Sequence, residues 1–114
     1  MNTYAIGDIH GCFKQLMHLI DKIDLQFDDQ LIFLGDYIDR GPHSFQVINY
    51  IIELSKHFNV IALKGNHEDI ASLYYSYDGY SNIWDSNGGK ITRDSYPRKD
   101  ISDEHLNWIN NLST

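Results

Sequence analysis

The stretch Leu31-Ile32-Phe33-Leu34-Gly35-Asp36 joins a short apolar run to a glycine and a carboxylate. Two other stretches repeat this arrangement: Tyr4-Ala5-Ile6-Gly7-Asp8 before it and Val60-Ile61-Ala62-Leu63-Lys64-Gly65-Asn66 after it. Each predicts a strand that ends at its glycine. The glycines are about 30 residues apart, which is the length of a strand with its crossover helix. The three stretches therefore predict parallel strands, each followed by a βα turn.

The segments between these strands have apolar residues at helical spacing. They are Phe13, Leu16, Met17, Ile20 and Ile23 in the first segment, and Phe45, Ile48, Ile51, Ile52 and Phe58 in the second. Pro42 and Ser44 mark the start of the second helix, with Ser44 as its N-cap. Aliphatic strands that alternate with helices predict an α/β fold, with a mainly parallel sheet flanked by helices that cover both faces.

The pattern is weaker after the third strand. Residues 71–75 continue a helix, and residues 76–89 are rich in Ser, Asn, Asp, Gly and Tyr, which predicts a loop. A last helix is expected over residues 103–111, with Ser102 as its N-cap. Residues 1–114 are therefore interpreted as one domain.

The composition is typical of a soluble globular domain. Of the 114 residues, 42% are hydrophobic and 22% are charged, and no apolar run approaches the ~18 residues of a membrane span. The net charge of −7 makes nucleic acid a poor partner, and no membrane partner is expected. Because Cys12 is the only cysteine, no internal disulfide forms, which favours the cytoplasm.

Four polar residues lie at or just after the three glycines: Asp8, His10, Asp36 and Asn66. The βα turns of a parallel sheet open at the same edge, so these side chains are expected to converge. Oxygen and imidazole ligands suit a divalent ion such as Mn, Fe, Zn or Mg. The two oxygens of Asp36 allow it to bridge two ions about 4 Å apart, which would activate water near neutral pH.

Three further residues have catalytic chemistry. Arg40 offers a planar guanidinium that fits phosphate oxygens. His67 is placed to protonate a leaving alkoxide, with Asp39 holding its tautomer. Taken singly, each of these residues would more simply be a turn or surface residue.

Three motifs together resemble the calcineurin-like metallophosphoesterases: GDIHG at 7–11, GDYIDRG at 35–41 and GNHE at 65–68. More narrowly, they resemble the bacterial and phage-type serine/threonine phosphoprotein phosphatases. Trp84, the Asn87-Gly88-Gly89 turn, Thr92 and the Ser95-Tyr96 pair are similar to a block that comes after GNHE in those enzymes. The resemblance implies that this chain is the first half of a metallophosphoesterase α/β sandwich.

The resemblance also implies a role for each matching residue. Asp8 and His10 would hold the first ion, Asp36 would bridge and Asn66 would begin the second site. Arg40 would bind phosphate, and His67 with Asp39 would form the acid pair. The complete family site has two divalent ions, with manganese preferred over iron, zinc or magnesium, and one ion is expected for this chain.

The function implied is hydrolysis of a phosphoric monoester by a hydroxide activated between two metals, on a phosphorylated protein or a small phosphoester. The similar symmetrical dinucleoside tetraphosphate hydrolases are the alternative. They usually show GDIQG and GNHD, so His10 and Glu68 favour the protein phosphatases. A third interpretation is a non-catalytic fragment that binds one metal or a complementary chain.

The sequence departs from the family after the GNHE motif. The family has two further metal-binding histidines on later strands and a second phosphate-binding arginine, and this chain has none of them. Residues 1–114 are therefore expected to be one partial catalytic domain with weak or no activity. The uncovered sheet and helix residues such as Ile48, Ile51 and Ile52 would then favour self-association or a complementary chain.

Overall fold

A computed structural model describes residues 1–77 and 81–114 of the chain. Its centre is a parallel sheet of three strands, β1 (Thr3–Ile6), β2 (Gln30–Phe33) and β3 (Asn59–Ala62), in the order β1-β2-β3. Ala5 pairs with Ile32, and Ile32 pairs with Ile61. The predicted α/β fold with a parallel sheet is confirmed.

A helix follows each strand, and three further helices come after the third of these in the described residues. They are α1 (Phe13–Ile23), α2 (Ser44–His57), α3 (Asn66–Ser76), α4 (Ser81–Ser86), α5 (Gly89–Asp94) and α6 (Asp103–Asn110). The predicted N-cap of the last helix is confirmed, since the Ser102 hydroxyl accepts a hydrogen bond from the His105 N–H at 3.3 Å. No helix within residues 1–77 and 81–114 is long and apolar enough to cross a bilayer.

The prediction of a loop over residues 76–89 is wrong for residues 81–86, which form α4; residues 78–80 lie outside the described residues. The reason is a tertiary contact. Trp84 is fully buried, with its ring centroid 4.8 Å from that of Tyr74 on α3. Burial of this large side chain outweighs the turn-forming composition around it.

Ser44 is not the N-cap that the sequence predicts. It is the first residue of α2, after His43 at the N-cap position, and it is fully buried. Its hydroxyl accepts a hydrogen bond from the Asp39 N–H at 3.3 Å and lies 3.2 Å from the Thr92 hydroxyl. The Ser44 hydroxyl therefore contacts residues outside α2 instead of capping the helix.

The described helices cover the two faces of the sheet unequally. Leu31 and Phe33 of β2 are fully buried on one face, whereas Ile61 on the other face is 38% exposed and Ala5 is exposed. Right-handed crossovers between strands in sequential order place α1 and α2 on the same face. The expectation that both faces are covered is therefore wrong for the described residues.

The expectation that α2 presents uncovered apolar residues is also wrong for two of the three named. Ile48 and Ile51 have no exposed surface and belong to the main hydrophobic core, and only Ile52 is half-buried. The core also contains Trp84 from α4 and Ile109 from α6. The helices after β3 therefore share one core with the sheet.

The chain returns to the sheet after α6. Ser113 forms a parallel bridge with Leu63, and its carbonyl accepts the Lys64 N–H at 2.6 Å. Because β2 occupies the other side of β3, Ser113 lies on the side away from β2.

Candidate metal centre

The turns after β1 and β2 bring three predicted ligands together. Asp8 and His10 lie in the first turn (7–11), and Asp36 lies in the second turn (35–41). One ligand atom from each residue lies within 4.8 Å of the other two, with Asp8 exposed and the other two half-buried. Two carboxylates and an imidazole at this separation suit a hard or borderline divalent ion. The donor set therefore fits the metal that the sequence predicts.

Hydrogen bonding fixes which nitrogen of His10 can bind a metal. Its Nδ1 lies 2.9 Å from the carbonyl oxygen of Ile38. A carbonyl only accepts hydrogen bonds, so Nδ1 is protonated and Nε2 keeps its lone pair. A histidine ligand that donates its other N–H to a carbonyl is the usual arrangement at metal sites.

The backbone is strained at the same place. His10, Asp36, Asp39 and Arg40 have φ of 45°, 57°, 74° and 73°. They are four of the six non-glycine residues with positive φ in the described ranges. The left-handed region costs an L-residue about 1–2 kcal/mol, and such strain concentrates at functional sites. The turn conformations thus point to function independently of the motifs.

The two residues of the predicted acid pair are hydrogen-bonded, and their catalytic role stays a prediction. His67 Nδ1 lies 2.7 Å from Oδ2 of Asp39, and both residues are buried. Asp39 also accepts hydrogen bonds from Trp84 Nε1 at 3.0 Å to each oxygen and from the Thr92 hydroxyl at 2.6 Å. Burial raises the pKa of the Asp39 carboxyl, and the hydrogen bonds from Thr92 and His67 oppose that rise. The His67 ring lies against that of His10, with centroids 4.6 Å apart, so the acid pair adjoins the metal ligands.

Sequence reasoning assigned packing to Trp84 and no role to Thr92, and it did not predict their hydrogen bonds with Asp39. Both belong to the block that resembles the family, but nothing in their local pattern connects them with Asp39. The turn between them has a second contact with the site. Gly88 has a φ of 96°, and a Cβ there would come within 2.6 Å of the Arg40 backbone nitrogen. Glycine is therefore required for the close approach of this turn to Arg40.

The third turn (65–68) packs against the second turn. The His67 N–H donates to Oδ1 of Asp36 at 2.9 Å, and Asn66 is exposed as the first residue of α3. Arg40 is exposed in the second turn. The structure therefore groups Asp8, His10 and Asp36 with the acid pair, and ligation by Asn66 and phosphate binding by Arg40 stay predictions.

Two cavities differ in their relation to this group. One of about 300 Å³ is lined by Asp8 and Cys12 together with residues of β1 and α1. Another, of about 510 Å³, is lined by residues of α2, α6 and the segment before α6, and includes none of the predicted site residues. The predicted site residues therefore lie away from the larger cavity.

Comparisons with known proteins agree with this arrangement. A relative from Buchnera aphidicola (subsp. Baizongia pistaciae), named bis(5'-nucleosyl)-tetraphosphatase, symmetrical, is 44% identical over 78 residues, which is 67% of this chain and 27% of the relative. A protein of the same name from Erwinia tasmaniensis is 32% identical over 96% of this chain and 37% of its own length. The crystal structure of a hypothetical protein from Pyrococcus horikoshii has the same fold, with a TM-score of 0.73 at 18% identity, over 99% of this chain and 48% of that one.

The chain thus spans roughly a third of the length of these named relatives. A family model described as calcineurin-like phosphoesterase matches residues 1–112, which include all three motifs and the block around Trp84. By this match, the chain belongs to the calcineurin-like phosphoesterase family.

Proposed function

We propose that this chain carries the first part of the metal site of a hydrolase that cleaves dinucleoside tetraphosphates symmetrically. The observation that carries the proposal is the convergence of Asp8, His10 and Asp36 within 4.8 Å, beside the buried pair of His67 and Asp39. The substrate class rests on the tetraphosphatase name of the relatives from Buchnera and Erwinia.

Each residue has a defined task in this reaction. Asp8, His10 and Asp36 would hold a divalent ion, and Asn66 would contribute to a second. When bound, these ions polarise the phosphate and lower the pKa of water. Arg40 would bind non-bridging phosphate oxygens through its guanidinium.

The acid pair would complete the bond cleavage. Water attacks one of the two central phosphorus atoms, and the bond from that phosphorus to the bridging oxygen breaks, so the bridging oxygen leaves with the other phosphorus. His67, held at Nδ1 by Asp39, would donate a proton from Nε2 to the departing oxygen. The products are two nucleoside diphosphates, and the protons of the water molecule are shared between them.

Dinucleoside tetraphosphates thus replace phosphoproteins as the preferred substrate class in this proposal. The names of the relatives support the alternative that the sequence left open more than they support a serine/threonine phosphatase. The phosphoprotein interpretation is kept as a second candidate because of His10. Its Nε2 is available as a ligand, and the motif resemblance associates a histidine at this position with the protein phosphatases.

The third interpretation concerns how much of the site this chain supplies. The grouped side chains give three ligand atoms, which is enough for one ion and few for two. We infer that the chain alone binds one ion well and turns over slowly. A complementary segment or chain would supply the remaining ligands.

The experiment compares three proteins: the unchanged chain, Asp8→Asn, and Asp21→Asn as a control carboxylate on the exposed surface of α1. Each is incubated with Mn²⁺ and either diadenosine tetraphosphate or a phosphothreonine peptide, and products are separated by chromatography. We expect slow, Mn²⁺-dependent release of ADP, lost in Asp8→Asn and kept in Asp21→Asn. Faster phosphate release from the peptide would replace the proposal with the phosphoprotein interpretation. Mn²⁺ binding without any product would support the non-catalytic interpretation.

A further inference from the structure

We infer that Glu68 is a positioning residue that sets the geometry of the metal centre by clamping the second turn against the third. Glu68 is the third residue of α3, in the part of the third turn that begins this helix, and it has no exposed surface. The inference rests on the proposed metal centre, because it concerns the placement of Asp36.

The Glu68 carboxylate is surrounded by backbone donors from both turns. Its Oε1 accepts hydrogen bonds from the Asp36 N–H at 2.7 Å and the Gly65 N–H at 2.9 Å. Its Oε2 accepts the Tyr37 N–H at 2.9 Å. A fully buried carboxylate is stable only when such donors compensate its lost hydration. The same bonds therefore hold the charge inside and hold the two turns together.

The second turn is fixed from its other side by the first turn. The Ile9 and His10 N–H groups donate to the Asp36 carbonyl at 3.0 and 2.9 Å, and the Gly11 N–H donates to the Tyr37 carbonyl at 2.8 Å. The N–H groups of Asp36 and Tyr37 thus go to Glu68, and their carbonyl groups go to the first turn. Asp36 is held in its left-handed conformation between these two sets of bonds.

The spacing between the second and third turns leaves no room for adjustment. A Cβ on Gly65 would lie 2.3 Å from the Asp36 nitrogen, and one on Gly35 would lie 2.6 Å from the Gly65 Cα. The Asp36 carboxylate itself accepts the His67 N–H. Any separation of the turns would therefore move a ligand oxygen, and metal sites require placement within about 0.5 Å.

The chain contains a matched buried carboxylate away from the site. Asp29 is 2% exposed and accepts the N–H groups of Asn2 at 2.8 Å and Gln26 at 2.9 Å. It lies just before β2, at the end of the strand opposite to the turns. Asp29→Asn therefore removes a similar buried charge and similar bonds without touching a ligand.

The experiment compares Glu68→Gln with Asp29→Asn and Asp8→Asn in the full chain. Mn²⁺ binding is measured by the electron paramagnetic resonance signal of the free ion, and amide hydrogen exchange is measured by NMR without metal. We expect Glu68→Gln to weaken Mn²⁺ binding on the order of tenfold, as for other groups that orient ligands. Exchange should speed up at the amides of Asp36, Tyr37 and Gly65. Asp29→Asn should keep the Mn²⁺ affinity of the unchanged chain and speed up exchange at Asn2 and Gln26.

The outcomes separate the clamp from the metal centre. Unchanged Mn²⁺ affinity in Glu68→Gln, with binding lost in Asp8→Asn, would overturn the clamp and leave the metal centre standing. Unchanged affinity in Asp8→Asn would overturn the metal centre and the inference with it. If Glu68→Gln does not fold, Glu68→Asp keeps the charge and withdraws it by one methylene. Affinity equal to that of the unchanged chain in this variant would also overturn the clamp.

Discussion

The proposed metal ligands and the proposed acid pair are neighbours that are built in opposite ways. Asp8, His10 and Asp36 come from two turns, and Asp8 is exposed. Asp39 and His67 are buried, and Asp39 receives hydrogen bonds from Trp84 and Thr92, beyond the third turn. The ligand group contains two carboxylates that repel each other until a cation binds, whereas the acid pair is stabilised by the protein alone. The ligand group should therefore be sensitive to added ions, and the acid pair should be sensitive to substitutions in the hydrophobic core.

The largest expected effect is a loss of stability on removing Trp84, the buried side chain that donates a hydrogen bond to Asp39 of the acid pair. Trp84→Ala should lower the free energy of unfolding by about 3–5 kcal/mol, because it removes a fully buried aromatic ring and leaves a cavity. Urea unfolding followed by circular dichroism measures this loss. Trp108→Ala is the control, since Trp108 is only half-buried and should cost less. Equal losses in both variants would contradict the special position of Trp84.

The next effect tests the ligand group. Mn²⁺ at a free concentration of 100 times its dissociation constant should stabilise the chain by about 2.7 kcal/mol, because the ion binds the folded state alone. The measurement is urea unfolding with and without Mn²⁺. The stabilisation should disappear in Asp8→Asn and persist in Asp21→Asn. A full Mn²⁺ effect in Asp8→Asn would show that the ion binds elsewhere.

A smaller effect should separate the two regions most clearly. Thr92→Val removes the hydroxyl that donates to Oδ1 of Asp39 and accepts the Asp39 N–H at 2.7 Å. Buried polar groups left without partners cost about 1–3 kcal/mol. Unfolding should become easier by that amount, while the Mn²⁺ affinity stays unchanged.

The control for that variant is Thr3→Val on β1, where the exposed side chain should change stability by less than about 0.5 kcal/mol. A loss of Mn²⁺ affinity in Thr92→Val would mean that the two regions are coupled rather than independent.

The smallest expected effect is a pH dependence of stability that comes from His105, a second buried imidazole, whose hydrogen-bond partners are neutral. His105 Nδ1 lies 2.6 Å from the Tyr96 hydroxyl, and its Nε2 lies 2.7 Å from Oδ1 of Asn49. Burial lowers its pKa below the ordinary 6.5, and Glu104 opposes that shift. Above pH 6.5 neither state of the chain binds this proton, so the stability does not change. As the pH falls below 6.5, the unfolded state binds the proton first and stability is lost.

This loss should approach, at most, about 1.4 kcal/mol per pH unit until the folded pKa is reached. Urea unfolding at pH 7.5 and 5.5 measures it in the unchanged chain and in His105→Gln. The difference between the two proteins should shrink at the lower pH. A difference that does not change with pH would mean that His105 titrates equally in both states.

The sequence predicted the parts of this molecule that depend on local patterns. Each strand ends at a glycine, and parallel strands bring their turns to one edge, so Asp8, His10 and Asp36 could be placed together in advance. Helix α4 could not be predicted in this way, because its residues favour turns and the burial of Trp84 stabilises the helix. The same limit applies to the bonds of Thr92 with Asp39 and of Glu68 with Asp36 and Tyr37. These bonds reach across the fold, and no spacing in the sequence encodes them.

The sequence separation of these bonds has a consequence for synthesis on the ribosome. All three turns, including Glu68, are complete by residue 68. The last hydrogen bonds to Asp39 come from Thr92, which lies 53 residues after Asp39. Contacts with a large separation form late, because a longer loop must close first. We therefore expect the proposed metal ligands of a nascent chain to meet while Asp39 still lacks its partners on α4 and α5. In the growing polypeptide, the proposed ion site would form before the proposed proton donor is complete.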